Sequence, residues 1–172
     1  MAPDAPHRPG PKRPQPPRGV KRRLARLPIA LFRAGLGPLF GSRFLRLIHI
    51  GRTSGQSREV VLEVVAHDRT DGSWTVASGF GPKADWYRNL QHTPQATVQF
   101  GRQYHAVTAQ FPTPEEGGRI MAEYARRHPR AARALCRFMG FPVDGSEAAF
   151  GAAGEQIPFV RLETAPERPR AV

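Results

Sequence analysis

The sequence predicts a mainly β domain with flanking helices, an α+β chain whose antiparallel sheet is closed or nearly closed on itself. Three observations carry this. The centre of the chain reads as short runs with strand-like period. The segments on either side read with helical period. Most links between the strands are too short for the crossovers that parallel strands need. The 172 residues suit one domain with a tail. A core of this size buries roughly two-thirds of the unfolded surface, so no covalent staple is required.

Residues 1–19 contain Pro3, Pro6, Pro9, Pro11, Pro14, Pro16 and Pro17. Such a segment sustains no helix and buries no core, so it is expected to be a disordered basic tail. In residues 20–43 apolar side chains recur at helical spacing, with Leu24, Leu27, Ala30, Leu31 and Ala34, and Pro28 implies a kink or break. This segment reads as a helix packed on the domain. Its alternative is an amphipathic helix on a membrane surface, with Lys21–Arg23 toward anionic lipid.

The domain is expected over residues 44–163, with a second tail over 164–172. Phe44–Ile50 and Arg58–His67 read as strands around a turn at Gly51–Ser57. Asp68–Gly72 is a second turn, and Ser73–Ser78 a third strand with Trp74, Val76 and Ser78 on one face. Ala84–Gln91 places Trp86, Tyr87 and Leu90 at helical spacing. Ala96–Phe100 and Tyr104–Phe111 form a strand pair around Gly101-Arg102. Thr113-Pro114-Glu115-Glu116 is a helix start: a threonine cap, proline at the first position, then acids at the positive end of the dipole. That helix should run to Arg127 or His128, and a second should cover Pro129–Met139. A third is expected over Asp144–Gly151, capped by Asp144, before a last strand at Ile157–Leu162.

The formal net charge of +12 suggests nucleic acid, but its distribution does not. Residues 1–26 hold eight basic side chains against Asp4 alone, so more than half of the excess belongs to these first 26 residues. Aromatic residues are not interleaved with those charges, which argues against stacking on single strands. No specific nucleic-acid partner is expected. A basic start before an apolar run mimics a secretory signal, but the basic region is long and proline-rich, with no clean small-residue cleavage site. The single cysteine, Cys136, forbids an internal disulfide and a cysteine zinc cluster, and it falls on an apolar helix face. A cytoplasmic location follows as the expectation, with contact at the inner membrane face left open.

Two clusters bear chemistry. Gly51–Arg58 offers two glycines for close backbone approach, successive amides that form an anion nest, hydroxyls at Thr53, Ser54 and Ser57, and guanidinium donors at Arg52 and Arg58. An ordinary hairpin loop with solvated arginines explains the same residues. It is no Walker motif, and a strand follows where the dinucleotide fingerprint needs a helix. The second cluster is Ala77-Ser78-Gly79-Phe80-Gly81 with Lys83, ending a strand and opening the helix that carries Trp86, Tyr87 and Asn89. Free amides there suit an anion or a polar ring edge, the two aromatics suit a planar ligand, and Asn89 can bond it. The competing reading packs the aromatic face into the core. The histidines lack metal spacing, no serine elbow occurs, and Glu59 and Glu63 read as solvated or paired acids, so no metal is expected.

At these clusters the chain resembles the deazaflavin-dependent nitroreductase family of split β-barrel proteins. Gly-Arg-x-Ser-Gly-x-x-Arg is matched by Gly51, Arg52, Ser54, Gly55 and Arg58. Val-Ala-Ser-x-x-Gly is matched by Val76, Ala77, Ser78 and Gly81. Trp-Tyr-x-Asn-Leu before a proline is matched by Trp86, Tyr87, Asn89, Leu90 and Pro94, and the closing Ile-Pro-Phe-Val by Ile157–Val160. The resemblance implies an FMN-binding-like split barrel that binds coenzyme F-420, an 8-hydroxy-5-deazaflavin with a phospholactyl-polyglutamate tail. It implies hydride transfer to a small-molecule acceptor, with the first cluster on phosphate and tail and the second on the ring. FMN is the second choice of cofactor. The alternatives are an FMN- or haem-binding barrel, or an F-420-binding protein without turnover. The segment 130–154 has no tyrosine where some members place substrate-side tyrosines; it has Phe138, Phe141 and Phe150, which suit an apolar acceptor. A homodimer stays open, with no residue signal for it.

Overall fold

The computed structural model describes residues 41–164, together with Ile29, Arg33 and Ala34. The predicted tails and most of the helical segment at 20–43, including its proposed membrane face, lie outside the described residues. Six strands form one closed antiparallel barrel: β1 (Phe44–Ile50), β2 (Ser57–Asp68), β3 (Ser73–Ala77), β4 (Gln95–Phe100), β5 (Gln103–Gln110) and β6 (Phe159–Thr164). Their order around the barrel is β1-β2-β3-β6-β5-β4, with β4 returning to pair with β1. Closure leaves no open sheet edge. This is the predicted split-barrel class.

Alternation decides what fills the barrel. Leu45 and Leu47 on β1, Trp74 and Val76 on β3, Val98 on β4, Val107 and Ala109 on β5, and Val160 and Leu162 on β6 form one apolar core. Fully burying a side chain of this kind contributes roughly 1.5–3 kcal/mol. A short helix α1 (Asp85–His92) follows a 3-10 turn at Gly81–Lys83 and adds Trp86, Tyr87 and Leu90 to the same core.

A second core lies on the outer face, under α2 (Pro114–Arg127), α3 (Pro129–Phe138) and α4 (Glu147–Gly154). A register shift in β2 between Val64 and Ala66 leaves Val65 outside the ladder, and Val65 joins this outer core. Tyr124 of α2 donates its hydroxyl to Glu63 of β2 at 3.1 Å. Burial, with the Glu63 charge beside it, pushes that phenol up to about 12. Cys136 is buried in the same core, and burial pushes its thiol up to about 11, so it is no nucleophile at neutral pH.

The start of α2 is as predicted: the Thr113 hydroxyl accepts from the Glu116 amide, and the Glu116 carboxylate accepts from the Thr113 amide at 2.7 Å. Two expectations need correction. The third late helix begins at Glu147, capped by Ser146, and runs to Gly154 rather than spanning Asp144–Gly151. Gly145 has φ of 99°, which no helix accommodates, and Asp144 instead accepts from the Ser146 amide at 2.8 Å in a local turn. The last strand is Phe159–Thr164 rather than Ile157–Leu162, so it runs one residue past the expected domain boundary. Ile157 packs beneath the helices, and the Pro158 carbonyl accepts from the Ser78 amide.

Candidate cofactor site

Both clusters sit at one end of the barrel. The turn between β1 and β2 is folded by two backbone bonds of 2.8 Å, Gly55 N–H to the Gly51 carbonyl and Gly51 N–H to the Gln56 carbonyl. Gly55 has φ of 64°. A Cβ on Gly51 would stand 2.8 Å from Ser54 Oγ, so the sequence needs glycine at both places. Among the described residues no acceptor takes the amides of Thr53 or Ser54.

Arg52 ties this turn to α1. Its backbone amide and its Nη1 both donate to Asn89 Oδ1, at 3.1 and 2.9 Å, and its Nη2 donates to Asp85 Oδ1 at 3.0 Å. Asn89 Nδ2 lies 3.2 Å from His49 Nδ1. The amide nitrogen has only protons to offer, so Nδ1 accepts and the ring proton is assigned to Nε2. Burial pushes the His49 imidazolium down, so the ring is neutral near pH 7. Asn89 and His49 are both buried, at 4% exposure each, and Asn89 is the hinge pin of the network. Replacing Asn89 with alanine leaves the His49 nitrogen and the Arg52 amide without their partner. The expected loss is about 1–3 kcal/mol of unfolding free energy, read by urea titration.

The structure thus joins the two predicted clusters, though not every residue offers itself to a ligand in the same way. Arg58 is exposed and reaches only Ser54 Oγ, at 3.4 Å, which leaves its guanidinium open beside the Thr53 and Ser54 amides. Arg52 is committed to Asn89 and Asp85. Ser78 donates its hydroxyl to the Gly81 carbonyl at 2.7 Å and shapes the loop from within. The 3-10 turn takes up the Gly81 and Ala84 amides, so fewer donors are free at α1 than a bare helix start would present. Ala77 ends β3 opposite Phe159, and Lys83 is exposed. Trp86 and Tyr87 are packed into the barrel core, Tyr87 edge-on to Phe111 at 5.4 Å.

Two contributors, His49 and Asp85, were not singled out in the sequence, and Phe138, read there only as suited to an apolar acceptor, borders the second cluster. His49 was legible in hindsight, since alternation puts it on the inward face with Leu45 and Leu47. Asp85 carried no signal, because its role depends on Arg52, 33 positions away. Phe138 of α3 lies over Gly79, where an added Cβ would stand 3.1 Å from its ring, and meets Phe80 edge-on at 5.7 Å. Phe138 is half exposed, so an apolar wall borders the second cluster. Cavities of about 680, 420 and 1170 Å³ open elsewhere on the molecule, and no residue of either cluster lines them. No group of side chains suited to a metal occurs among the described residues, and none of their helices is long and apolar enough to cross a membrane.

Comparison with solved structures finds chains of partial similarity. An F420-H2 dependent reductase (FDR-A) is 21% identical, with 70% of this chain and 94% of that chain covered and a TM-score of 0.48. The haem storage protein HutZ of Vibrio cholerae is 13% identical, with 74% and 84% covered and a TM-score of 0.50. A pyridoxamine 5'-phosphate oxidase-related, FMN binding protein of Nostoc punctiforme is 16% identical, with 86% and 81% covered and a TM-score of 0.48. At these identities the likeness concerns the fold alone. A comparison with curated proteins finds no match. The sequence model of the family described as F420H(2)-dependent quinone reductase matches residues 32–135, which include both clusters and the network that joins them. The chain belongs to the F420H(2)-dependent quinone reductase family, and coenzyme F-420 is its cofactor.

Proposed function

We propose that the chain is an oxidoreductase that transfers a hydride from reduced coenzyme F-420 to a small, apolar organic acceptor, in the manner of nitroreductases and quinone reductases. The observation that carries this reading is the Arg52–Asn89 bridge, which holds an anion-suited turn and a glycine-rich segment together as one surface. The donor set fits a polyanionic tail: the free Thr53 and Ser54 amides, the Ser54 hydroxyl, and the exposed Arg58 and Lys83. Arg52 acts from behind, by fixing the turn against α1. Phe138 occupies the space that a Cβ on Gly79 would enter, 3.1 Å away, so its ring borders the Ala77–Gly81 segment as an apolar wall.

The bound deazaflavin supplies the hydride chemistry. The chain's part is to place ring and acceptor in contact and keep water out, which requires no nucleophile. Phe80 and Phe138 present an apolar edge to whatever approaches over Gly79, and this supports an apolar acceptor.

Titration with reduced F-420, NADPH and FMN in parallel tests the reading. Tight binding of reduced F-420 alone is expected, and preference for FMN or NADPH overturns it. Arg58→Ala should weaken reduced F-420 by about 1.5–3 kcal/mol through loss of a charged hydrogen bond, read as a shift in Kd. Turnover confined to small charged acceptors would sink the apolar part of the proposal.

A further inference from the structure

The barrel has a second mouth. The β2–β3 turn and the β4–β5 turn frame the end opposite the Gly51–Arg58 turn, and the register there brings four rings inward. His67 stands opposite Trp74 in the β2–β3 ladder, and Trp74 shares the inward face of β3 with Val76. His105 stands opposite the inward Val98, and Phe100 follows Val98 at period two. The rings form one cluster. His67 and Trp74 stack at 5.1 Å with 14° between their planes, Phe100 meets His67 edge-on at 5.0 Å, and His105 leans on Trp74 at 5.0 Å. They line a cavity of about 1170 Å³.

A barrel end that only had to be closed would close at lower cost with leucines. Here Trp74 Nε1 is buried and donates to nothing, and among the described residues neither imidazole has a hydrogen-bond partner. A buried donor without an acceptor is a rare feature that calls for a specific explanation. The rim adds a charge. Asp71 and Glu163 both face Arg161, the first in a hydrogen-bonded ion pair and the second at 3.2 Å, so one guanidinium serves both acids of this rim. Arg69, also on the rim, has no ion pair among the described residues.

We propose that this mouth is a second binding site, for a planar aromatic molecule that carries one anionic group. The ring lies against the His67–Trp74 stack and the edge of Phe100, and the anion sits at Arg69. Burial, and then the Arg69 charge, push the His67 imidazolium down, so at neutral pH the stack is an uncharged aromatic surface. The barrel core, with Leu47, Val76 and Val98, separates this mouth from the Arg52–Asn89 network. The site therefore stands whether or not the proposed hydride transfer does.

The chain has two tryptophans, which makes the test direct. The full-length protein, labelled with nitrogen-15, is titrated with 2-naphthoate while the two indole N–H signals are followed. Trp86→Phe assigns them, or Trp74→Phe if that protein does not fold. The Trp74 signal should move and saturate while the Trp86 signal stays. In Arg69→Ala, an exposed change that leaves the fold intact, the Kd for 2-naphthoate should rise about tenfold. The Kd for neutral 2-acetylnaphthalene should not change. An unmoved Trp74 signal at millimolar 2-naphthoate overturns the site, as does movement of the Trp86 signal alone. Equal weakening of both compounds by Arg69→Ala overturns the anionic half of the assignment.

Discussion

Gly154→Ala is expected to destabilise the protein by about 3 kcal/mol, at the upper end of what overpacking costs in a filled core. An alanine Cβ at this position would stand 2.4 Å from the Gly117 carbonyl oxygen and 2.5 Å from Met121 Cβ. Neither neighbour can give way. The carbonyl belongs to the backbone of α2, and Met121 is fully buried among Phe150, Ala153 and Phe159. The glycines are therefore what lets α2 and α4 approach so closely. Gly151, one turn earlier in α4, provides the opposite sign. Its Cβ would stand 3.9 Å from the Gly118 carbonyl oxygen, an ordinary contact. Alanine exceeds glycine in helix propensity by about 1 kcal/mol, so Gly151→Ala should stabilise by up to that amount. Denaturant unfolding of the two variants should move the midpoint in opposite directions. Equal effects would mean that propensity, not the closeness of the two helices, governs this pair.

Those glycines also show where the sequence was silent. Strand positions were legible because alternation and turn residues are local signals, and the observed strands fall within two residues of the expected ones. The start of α2 was legible because a capping box is written in four consecutive residues. The start of α4 was not, because Asp144 and Ser146 both look like caps, and only the left-handed Gly145 between them decides which one serves. Glycines in helices read as weakness in a sequence. Their use here, as the contact surface between α2 and α4, exists only once the helices are packed.

The site divides along the same line. The glycine-rich turn, the guanidinium groups and the amide of Asn89 stood out as residue types suited to an anionic planar ligand. What could not be seen was that Arg52 faces the protein, donating to Asn89 and Asp85, while Arg58 faces outward. Two arginines six positions apart thus have different tasks. That difference depends on a helix 33 positions further along the chain, which no local pattern reports.

Glu59→Gln should cost about 3 kcal/mol, the low end for breaking a buried pair, since the Glu59 side chain keeps 13% of its exposure. Its carboxylate accepts from Arg46 Nε at 2.9 Å and from Arg33 at 2.6 and 3.0 Å. Arg46 is the vulnerable partner. Its side chain is only 8% exposed, and its Nη1 donates to Gln99 Oε1 at 2.6 Å, a neutral acceptor. Glutamine at 59 leaves that guanidinium buried with no countercharge. By contrast, Glu123→Gln breaks a solvent-screened surface pair on α2 and should leave stability nearly unchanged. Acid titration separates the two further. Burial works to raise the Glu59 carboxyl, but the hydrogen bonds and charges of Arg33 and Arg46 outweigh it and hold the group below the usual carboxylate range. A lowered folded pKa means that the pair's stabilisation is complete above the unfolded carboxylate range and fades as pH falls through the folded value. Glu59→Gln should therefore show its full deficit at pH 7, and the deficit should shrink as the wild-type protein is acidified below pH 4.5, the ordinary value for this group. A deficit that stayed constant into acid would place the cost in packing rather than in the charge. Glu59 opposes Ile48 and directly follows Arg58. The same ion pair thus pins the strands that present the turn, and reduced F-420 should bind more weakly to Glu59→Gln even where the protein remains folded.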